Sequence, residues 1–216
     1  MARSQLDLQA TRAMFLAVAD GMVGSTSYLT DLDRAIGDGD HGIGMQHGFE
    51  AVRRELEGQS FATLGKLVQA VGTTLMMSIG GASGAIFGTL FRGGGAKLAT
   101  EEALTTRNLS VLLSEGLAAV KARGGAKAGD KTMVDALEPA ATAVAGDPSA
   151  PLGEALARAA EAARLGMEKT REMLASTGKA KTLGERSRGH PDPGAASTHL
   201  ILKFMAEFCG REGGEA

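Results

Sequence analysis

The sequence predicts an all-α fold: an antiparallel barrel or bundle of about eight amphipathic helices, with the chemistry in loops at one end. Three observations predict it. Apolar residues recur at spacings of three and four along nearly the whole chain, which gives each helix one buried face. No segment alternates strictly, runs of β-branched residues are absent, and Ala and Leu dominate, as helix propensity favours. The 31 glycines, far more than a helical protein needs, concentrate between the helical stretches.

Taken in order, Leu8, Thr11, Phe15, Val18 and Met22 line a first helix running to about Tyr28. Met45, Phe49, Val52 and Leu56 mark the next, and Leu64, Leu67, Val71, Leu75 and Ile79 a third with Ser60 as its N-cap. A shorter helix spans about Ala85 to Ala99. Leu109, Leu112, Gly116 and Val120 form another stripe, which Arg123-Gly124-Gly125 ends in the manner of C′ glycines. Met133, Leu137, Ala140 and Val144 follow, with Asp130 as the capping residue. The run from Leu152 through Leu156, Ala159, Ala163, Met167 and Thr170 to Leu174 is the longest, roughly six turns. Leu200, Ile201, Phe204, Met205 and Phe208 close the chain on a helix that starts at Asp192 or Pro193. Short connections place neighbours antiparallel. The Gly178 to Gly194 loop is longer than a bundle requires, and such loops are often functional. The tail Gly213-Gly214-Glu215-Ala216 is expected to fray.

Composition narrows the function. At 216 residues one domain, 1–216, is expected, and 44% hydrophobic residues suffice for its core. A net charge of −2 argues against nucleic acid as the main partner, as does an aromatic content of 4%. A lone cysteine, Cys209, excludes an internal disulfide and fits a reducing compartment. No apolar run approaches the ~20 residues of a membrane span, and the N-terminus lacks a signal-type region, so a cytoplasmic protein is expected.

The chemistry centres on Ile36-Gly37-Asp38-Gly39-Asp40-His41-Gly42-Ile43-Gly44-Met45, with Asp31 and Asp33 just upstream. So many carboxylates on one turn repel each other unless a cation neutralises them, and oxygen-only ligands suit Mg²⁺ or Ca²⁺ better than Zn²⁺. An Asp/Gly-rich surface turn is the competing reading. An EF-hand starting at Asp38 fails, because Ile43 and Phe49 stand where its Gly and bidentate Glu belong. His41 beside Asp40 reads equally as a base, a ligand contact or a loop-ordering group.

Three further loops open helices. Gly80-Gly81-Ala82-Ser83-Gly84 presents backbone N–H groups and a positive dipole end to an anion, without the spacing of a Walker loop. In Gly129-Asp130-Lys131-Thr132-Met133, Lys131 reads as a partner for phosphate or carboxylate and Met133 as one wall of an apolar slot. Leu183-Gly184-Glu185-Arg186-Ser187 continues to Gly189-His190-Pro191-Asp192-Pro193-Gly194-Ala195, where Glu185 and Arg186 read as a surface pair. Close packing and ordinary caps explain each loop as well as binding does. Clustered carboxylates beside glycine-opened helices, with no nucleophile motif, favour metal-assisted phosphoryl transfer.

Together these stretches, with Leu32-Asp33-Arg34-Ala35 leading the first, resemble the L subunit (nucleotide-binding subunit) of dihydroxyacetone kinase, in the same order and over nearly the whole chain. The resemblance implies an eight-helix antiparallel barrel with ADP or ATP bound at one end. It implies that Asp33, Asp38 and Asp40, without Asp31, hold two Mg²⁺ ions. His41, Gly42 and Gly44 would lie along the nucleotide, Ala82 and Ser83 would meet phosphate, and Gly124 and Met133 would border adenine. Asp192, Pro193 and Gly194 would complete the pocket. Lys179, in Gly178-Lys179-Ala180-Lys181-Thr182, stands where many members carry an arginine that contacts nucleotide, and loses its planar fork. Gly39 and Gly44 replace a frequent Ala and Asn, loosening the loop.

The resemblance further implies half of an enzyme: a separate K subunit holds the hydroxyketone covalently. In the phosphotransferase-linked version ADP stays bound and a phosphohistidine M subunit recharges it. An ATP-exchanging kinase of erythrulose or another small sugar is the alternative, as is a nucleotide-loaded regulatory module without turnover. A Mg²⁺-dependent phosphatase is a third reading, and a homodimer stays open.

Overall fold

The apolar stripes fold into nine α-helices among residues 3–211, which the computed structural model describes; the Gly213-Gly214-Glu215-Ala216 tail lies outside the described residues. They are α1 (Leu8–Gly24), α2 (Thr26–Ile36), α3 (His41–Gly58), α4 (Leu64–Ser78), α5 (Gly81–Ala96), α6 (Thr106–Gly124), α7 (Val134–Ala145), α8 (Leu152–Lys169) and α9 (Pro193–Gly210). Packing runs α1–α3–α4–α5–α6–α7–α8–α9 and returns to α1, so eight helices close into a barrel. The ninth, α2, lies outside that ring against α3, α9 and a 3₁₀ segment at Lys179–Ser187. The barrel interior is filled by side chains such as Phe15, Phe49, Met14 and Leu109, all buried, and Phe15 meets Phe91 edge to face at 5.9 Å. Burying each such ring contributes about 1.5–3 kcal/mol.

The extra helix has a local cause. The predicted first helix breaks at Ser25, whose hydroxyl donates to the Gly21 carbonyl (2.8 Å) while the Thr26 hydroxyl donates to Val23 (2.6 Å). Side-chain hydroxyls competing for helix carbonyls favour such breaks. A new helix then carries Asp31 and Asp33, which the sequence places just upstream of the acidic turn, outside any predicted helix.

Smaller corrections follow the same logic. Thr63 rather than Ser60 caps α4, its hydroxyl accepting from the Lys66 N–H at 3.3 Å. The predicted short helix starts earlier, at Gly81, and the glycines expected between helices lie mostly inside them, as Gly88, Gly94 and Gly95 do where α5 meets α4 and α6. The longest predicted run ends at Lys169 and tightens into a 3₁₀ turn, Thr170–Glu172, so Leu174 lies beyond it. The chain is also not wholly free of sheet: β1 (Gln5–Asp7) pairs antiparallel with β2 (Ala103–Thr105), bringing buried Leu6 opposite Leu104. Asp7 and Thr105 then cap α1 and α6.

At the other end of the barrel the termini of successive helices converge. α3, α5, α7 and α9 begin there and α6 ends there, as the antiparallel order requires, and their ends line one cavity.

Candidate functional site

The cavity encloses about 400 Å³. Ile36, Ile86, Phe87, Val120, Met133 and Val134 give it an apolar wall, and Asp33, Asp40, His41, Ser83, Lys179 and Asp192 gather its polar groups. A pocket of this size with an apolar slot and a few convergent polar groups suits a small organic ligand bearing charge.

Asp33 sits in the last turn of α2, Asp38 in the link and Asp40 at the N-cap of α3. One carboxylate oxygen from each falls within 4.8 Å of the others. Asp33 is buried, and its Oδ2 accepts the His41 backbone N–H at 3.2 Å. Asp38 and Asp40 are exposed, and the Lys179 ammonium bonds both, Asp40 at 3.3 Å. The hydrogen bond between Lys179 and Asp38 holds the Asp38 carboxyl below its ordinary range and the Lys179 ammonium above its own. One ammonium against three carboxylates leaves the cluster short of positive charge, and an all-oxygen donor set fits a hard cation. Asp31 is exposed and pairs with Arg34 at 3.1 Å, and it is not among the residues that line the cavity.

Opposite the acids, α5 opens at Gly80-Gly81-Ala82-Ser83. Gly81 takes φ +67°, a left-handed conformation that L side chains rarely adopt, and so turns the chain into the helix. His41 is buried and joins two walls: Nδ1 lies 3.2 Å from Ser83 Oγ and Nε2 lies 2.8 Å from Ser197 Oγ. Burial lowers its pKa and so favours the neutral ring, against the pull of Asp33 and Asp40. Asp192 caps α9, accepting the Ala195 N–H at 2.7 Å, with Pro193 at the first helical position as the sequence suggested. Burial nevertheless raises the Asp192 carboxyl to about 7.

The DAK2 domain profile matches residues 35–207. The ADP-binding subunit DhaL of the PEP-dependent dihydroxyacetone kinase of Escherichia coli (strain K12) is 37% identical over 183 residues, covering 84% of this chain and 87% of its own. The chain belongs to the DAK2 family of dihydroxyacetone kinase L subunits. The crystal structure of the C. freundii dihydroxyacetone kinase in complex with AMP-PNP and Mg²⁺ superposes with a TM-score of 0.71 at 30% identity, covering 91% of this chain. L-erythrulose kinase of Pectobacterium atrosepticum is 34% identical over 211 residues and covers 95% of this chain. The chain spans about a third of the length of each of those two larger kinases, 33% and 35%.

For a DAK2 chain the placement of the sequence-selected residues is informative. Asp33, Asp40, His41, Ala82, Ser83, Gly124, Met133, Lys179, Asp192, Pro193 and Gly194 all line the cavity, and Asp38 joins it through Lys179. Gly42 and Gly44 do not line it. A Cβ on Gly42 would stand 2.2 Å from Thr30 Oγ1 and 2.3 Å from the Thr26 carbonyl, so this glycine lets α3 cross α2 and sets the spacing of Asp33 and Asp40. Gly44 sits in the first turn of α3, its N–H bonded to the Asp40 carbonyl at 2.9 Å.

The Lys179 ammonium points at the acids. Asp130 does not cap α7. Its carboxylate accepts from the Lys127 N–H (2.8 Å) and the Ser176 hydroxyl (2.7 Å), because Asp135 already takes the Gly129 and Thr132 N–H groups. Glu185 pairs with Arg188 rather than Arg186.

Sequence reasoning missed the scaffold behind the pocket. Lys131, in the cavity wall, is buried at φ +60° near Asp192; its ammonium donates to the carbonyls of Thr170 and His190, the latter at 2.6 Å. The Thr170 hydroxyl in turn accepts the Asp192 N–H at 2.8 Å. A lysine after Asp in a glycine loop carries no signal of that role. Ser197 was missed as well, since a serine one turn inside an apolar helix looks like filler.

Proposed function

We propose that residues 1–216 act as one domain, the metal- and nucleotide-binding subunit of a dihydroxyacetone-type kinase that passes a phosphoryl group to a small hydroxyketone held on a separate K subunit. The observation that carries this is the convergence of the Asp33, Asp38 and Asp40 carboxylates within 4.8 Å beside the glycine turn that opens α5, at the polar side of an apolar cavity.

In this reading the three aspartates hold two Mg²⁺ ions, which when bound neutralise charge on the transferring group. Ser83 and the N–H groups of α5 receive phosphate, favoured by the helix dipole. Gly124 and Met133 border the adenine in the slot walled by Ile86, Phe87 and Val120. His41 orders the walls, Gly42 and Gly44 shape the turn beneath the nucleotide, and Asp192, Pro193 and Gly194 close the pocket. Positioning and electrostatics, rather than a covalent nucleophile, supply the catalysis. The PEP-dependent relative favours ADP as a resident cofactor recharged by a phosphohistidine M subunit; the erythrulose kinase relative supports ATP exchange with a small sugar as the second reading. A cytoplasmic location accompanies the reading. Among the described residues no helix is long and apolar enough to cross a membrane.

The test is Asp38→Ala, an exposed change that leaves the core untouched. Calorimetry should show loss of Mg²⁺-dependent ADP binding, with far-UV circular dichroism unchanged. Undiminished Mg²⁺-dependent affinity in that variant sinks the assignment. Product formation from ATP, hydroxyketone and purified K subunit separates a kinase subunit from a binding module.

A further inference from the structure

Ser197 stands fully buried one turn into α9, and its hydroxyl lies 2.8 Å from His41 Nε2. On the other edge of the same ring, Nδ1 lies 3.2 Å from Ser83 Oγ. Ser197, His41 and Ser83 thus form a hydrogen-bonded chain from the barrel interior to the cavity wall, joining α9, α3 and α5. The ring has little freedom to leave it: Phe87 packs against it with centroids 6.5 Å apart, and Asp33 holds its main-chain N–H at 3.2 Å.

A neutral imidazole carries one N–H, so the chain has two proton arrangements. With the proton on Nε2, Nδ1 must accept, and the Ser83 hydroxyl spends its only hydrogen on the histidine. With the proton on Nδ1, that N–H donates to Ser83 Oγ, and the Ser83 O–H is free to donate into the cavity. Nε2 then needs a donor of its own. Two groups of α9 face the ring, the Ser197 hydroxyl and the Pro193 carbonyl one turn before it. A carbonyl only accepts and draws the proton to the ring nitrogen nearest it. A hydroxyl can donate.

We propose that Ser197 is a positioning residue that donates to His41 Nε2, holds the ring as its Nδ1–H tautomer and thereby frees the Ser83 hydroxyl for a phosphate oxygen. This rests on the reading of the cavity as a nucleotide site, and it assigns the specific contribution of a residue outside the cavity lining. Serine is required rather than alanine because only a hydroxyl supplies the missing proton at Nε2. Without it Nε2 has lost its donor while the Ser83 hydroxyl can still donate to Nδ1, so the proton settles on Nε2, and Ser83 turns its hydrogen away from the ligand.

Two measurements on the full chain test it. Nitrogen-15 NMR of the His41 ring at pH 8, without nucleotide, should show Nδ1–H in the parent and Nε2–H in Ser197→Ala. Calorimetric titration with ADP in excess Mg²⁺ should show Ser197→Ala and Ser83→Ala each weaker by about 3- to 10-fold, the worth of one hydrogen bond. The double variant should be no weaker than Ser83→Ala alone, because Ser197 acts through Ser83. Ser197→Cys, which keeps the buried volume with a poorer donor, should fall between parent and alanine and so separates donation from packing. Additive losses in the double variant overturn the proposal, as does an Nε2–H ring in the parent. If the parent fails to bind ADP, the nucleotide reading falls, whereas the tautomer measurement stands on its own.

Discussion

The Lys179 ammonium lies 3.3 Å from the Asp40 carboxylate and bonds Asp38 too, although 139 positions separate Lys179 from Asp40. It supplies, from the α8–α9 connection, part of the positive charge that the acidic turn lacks. An arginine at this position would present a planar fork suited to phosphate; a lysine is a compact point charge that competes with a metal ion for the same oxygens.

Lys179→Met is therefore expected to tighten Mg²⁺ binding in the absence of nucleotide by about 3- to 5-fold, the scale of an exposed ion pair, and to weaken ADP binding in saturating Mg²⁺. Calorimetry with Mg²⁺ alone and then with ADP reads the two effects separately. Weaker binding of Mg²⁺ alone in the variant removes the competition argument.

Lys131 makes a different kind of bond. Its buried ammonium joins the carbonyls of Thr170 and His190, and Thr170 in turn holds Asp192, so one side chain ties α8 to the start of α9. Lys131→Met keeps the length of the stem but leaves both carbonyls short of a donor. We expect a loss of about 2–4 kcal/mol in urea unfolding, on the scale of unsatisfied buried polar groups. A loss below 0.5 kcal/mol, the scale of a neutral surface change, would contradict the role.

How much of this was legible in the sequence follows the range of the interactions. Period-3.6 stripes report which face of each segment is apolar, so the barrel helices and the cap at Asp192 were readable. The break at Ser25 was not, because Leu29 continues the apolar stripe beyond it while two hydroxyls quietly take the carbonyls. Asp33, Asp38 and Asp40 were legible as a local cluster. Their tie to Lys179 depends on how α8 hands over to α9, which no local pattern encodes. Lys131 is hidden for the same reason: its charge suggests phosphate or a carboxylate as its partner, whereas the fold bonds its ammonium to two distant backbone carbonyls.

Gly42 lies at the closest approach of α3 to α2. Adding a methyl there brings a carbon to 2.2 Å from Thr30 Oγ1 and 2.3 Å from the Thr26 carbonyl, and backbone cannot yield cheaply. Gly42→Ala should cost about 1–3 kcal/mol, as overpacking does. It should also weaken Mg²⁺-dependent ADP binding, because pushing α3 from α2 separates Asp40 from Asp33. Thermal unfolding together with calorimetry checks both. Unchanged stability would mean that the two helices part without strain.

Asp192 gives a pH signature of known sign. Burial, helped by the nearby Asp135 carboxylate, favours the acid and prevails over the Ala195 and Gly194 N–H groups and Lys131, which favour the anion, raising the pKa from 3.8 to about 7. Between those values the folded chain keeps a proton that the unfolded chain has released. The stability this group contributes is full below about pH 4 and is lost as pH rises through 7. Asp192→Asn keeps an oxygen to cap α9 but cannot titrate. Burial lowers the pKa of His41 and His199, which gives a slope of the opposite sign, yet both remain in the variant. The stability of Asp192→Asn relative to the parent should therefore climb between pH 4 and 7 and level off above it. Urea unfolding across pH 4 to 8 measures the difference directly. A difference that stays flat would show that the helix N-terminus keeps Asp192 ionised throughout, as in an ordinary exposed cap.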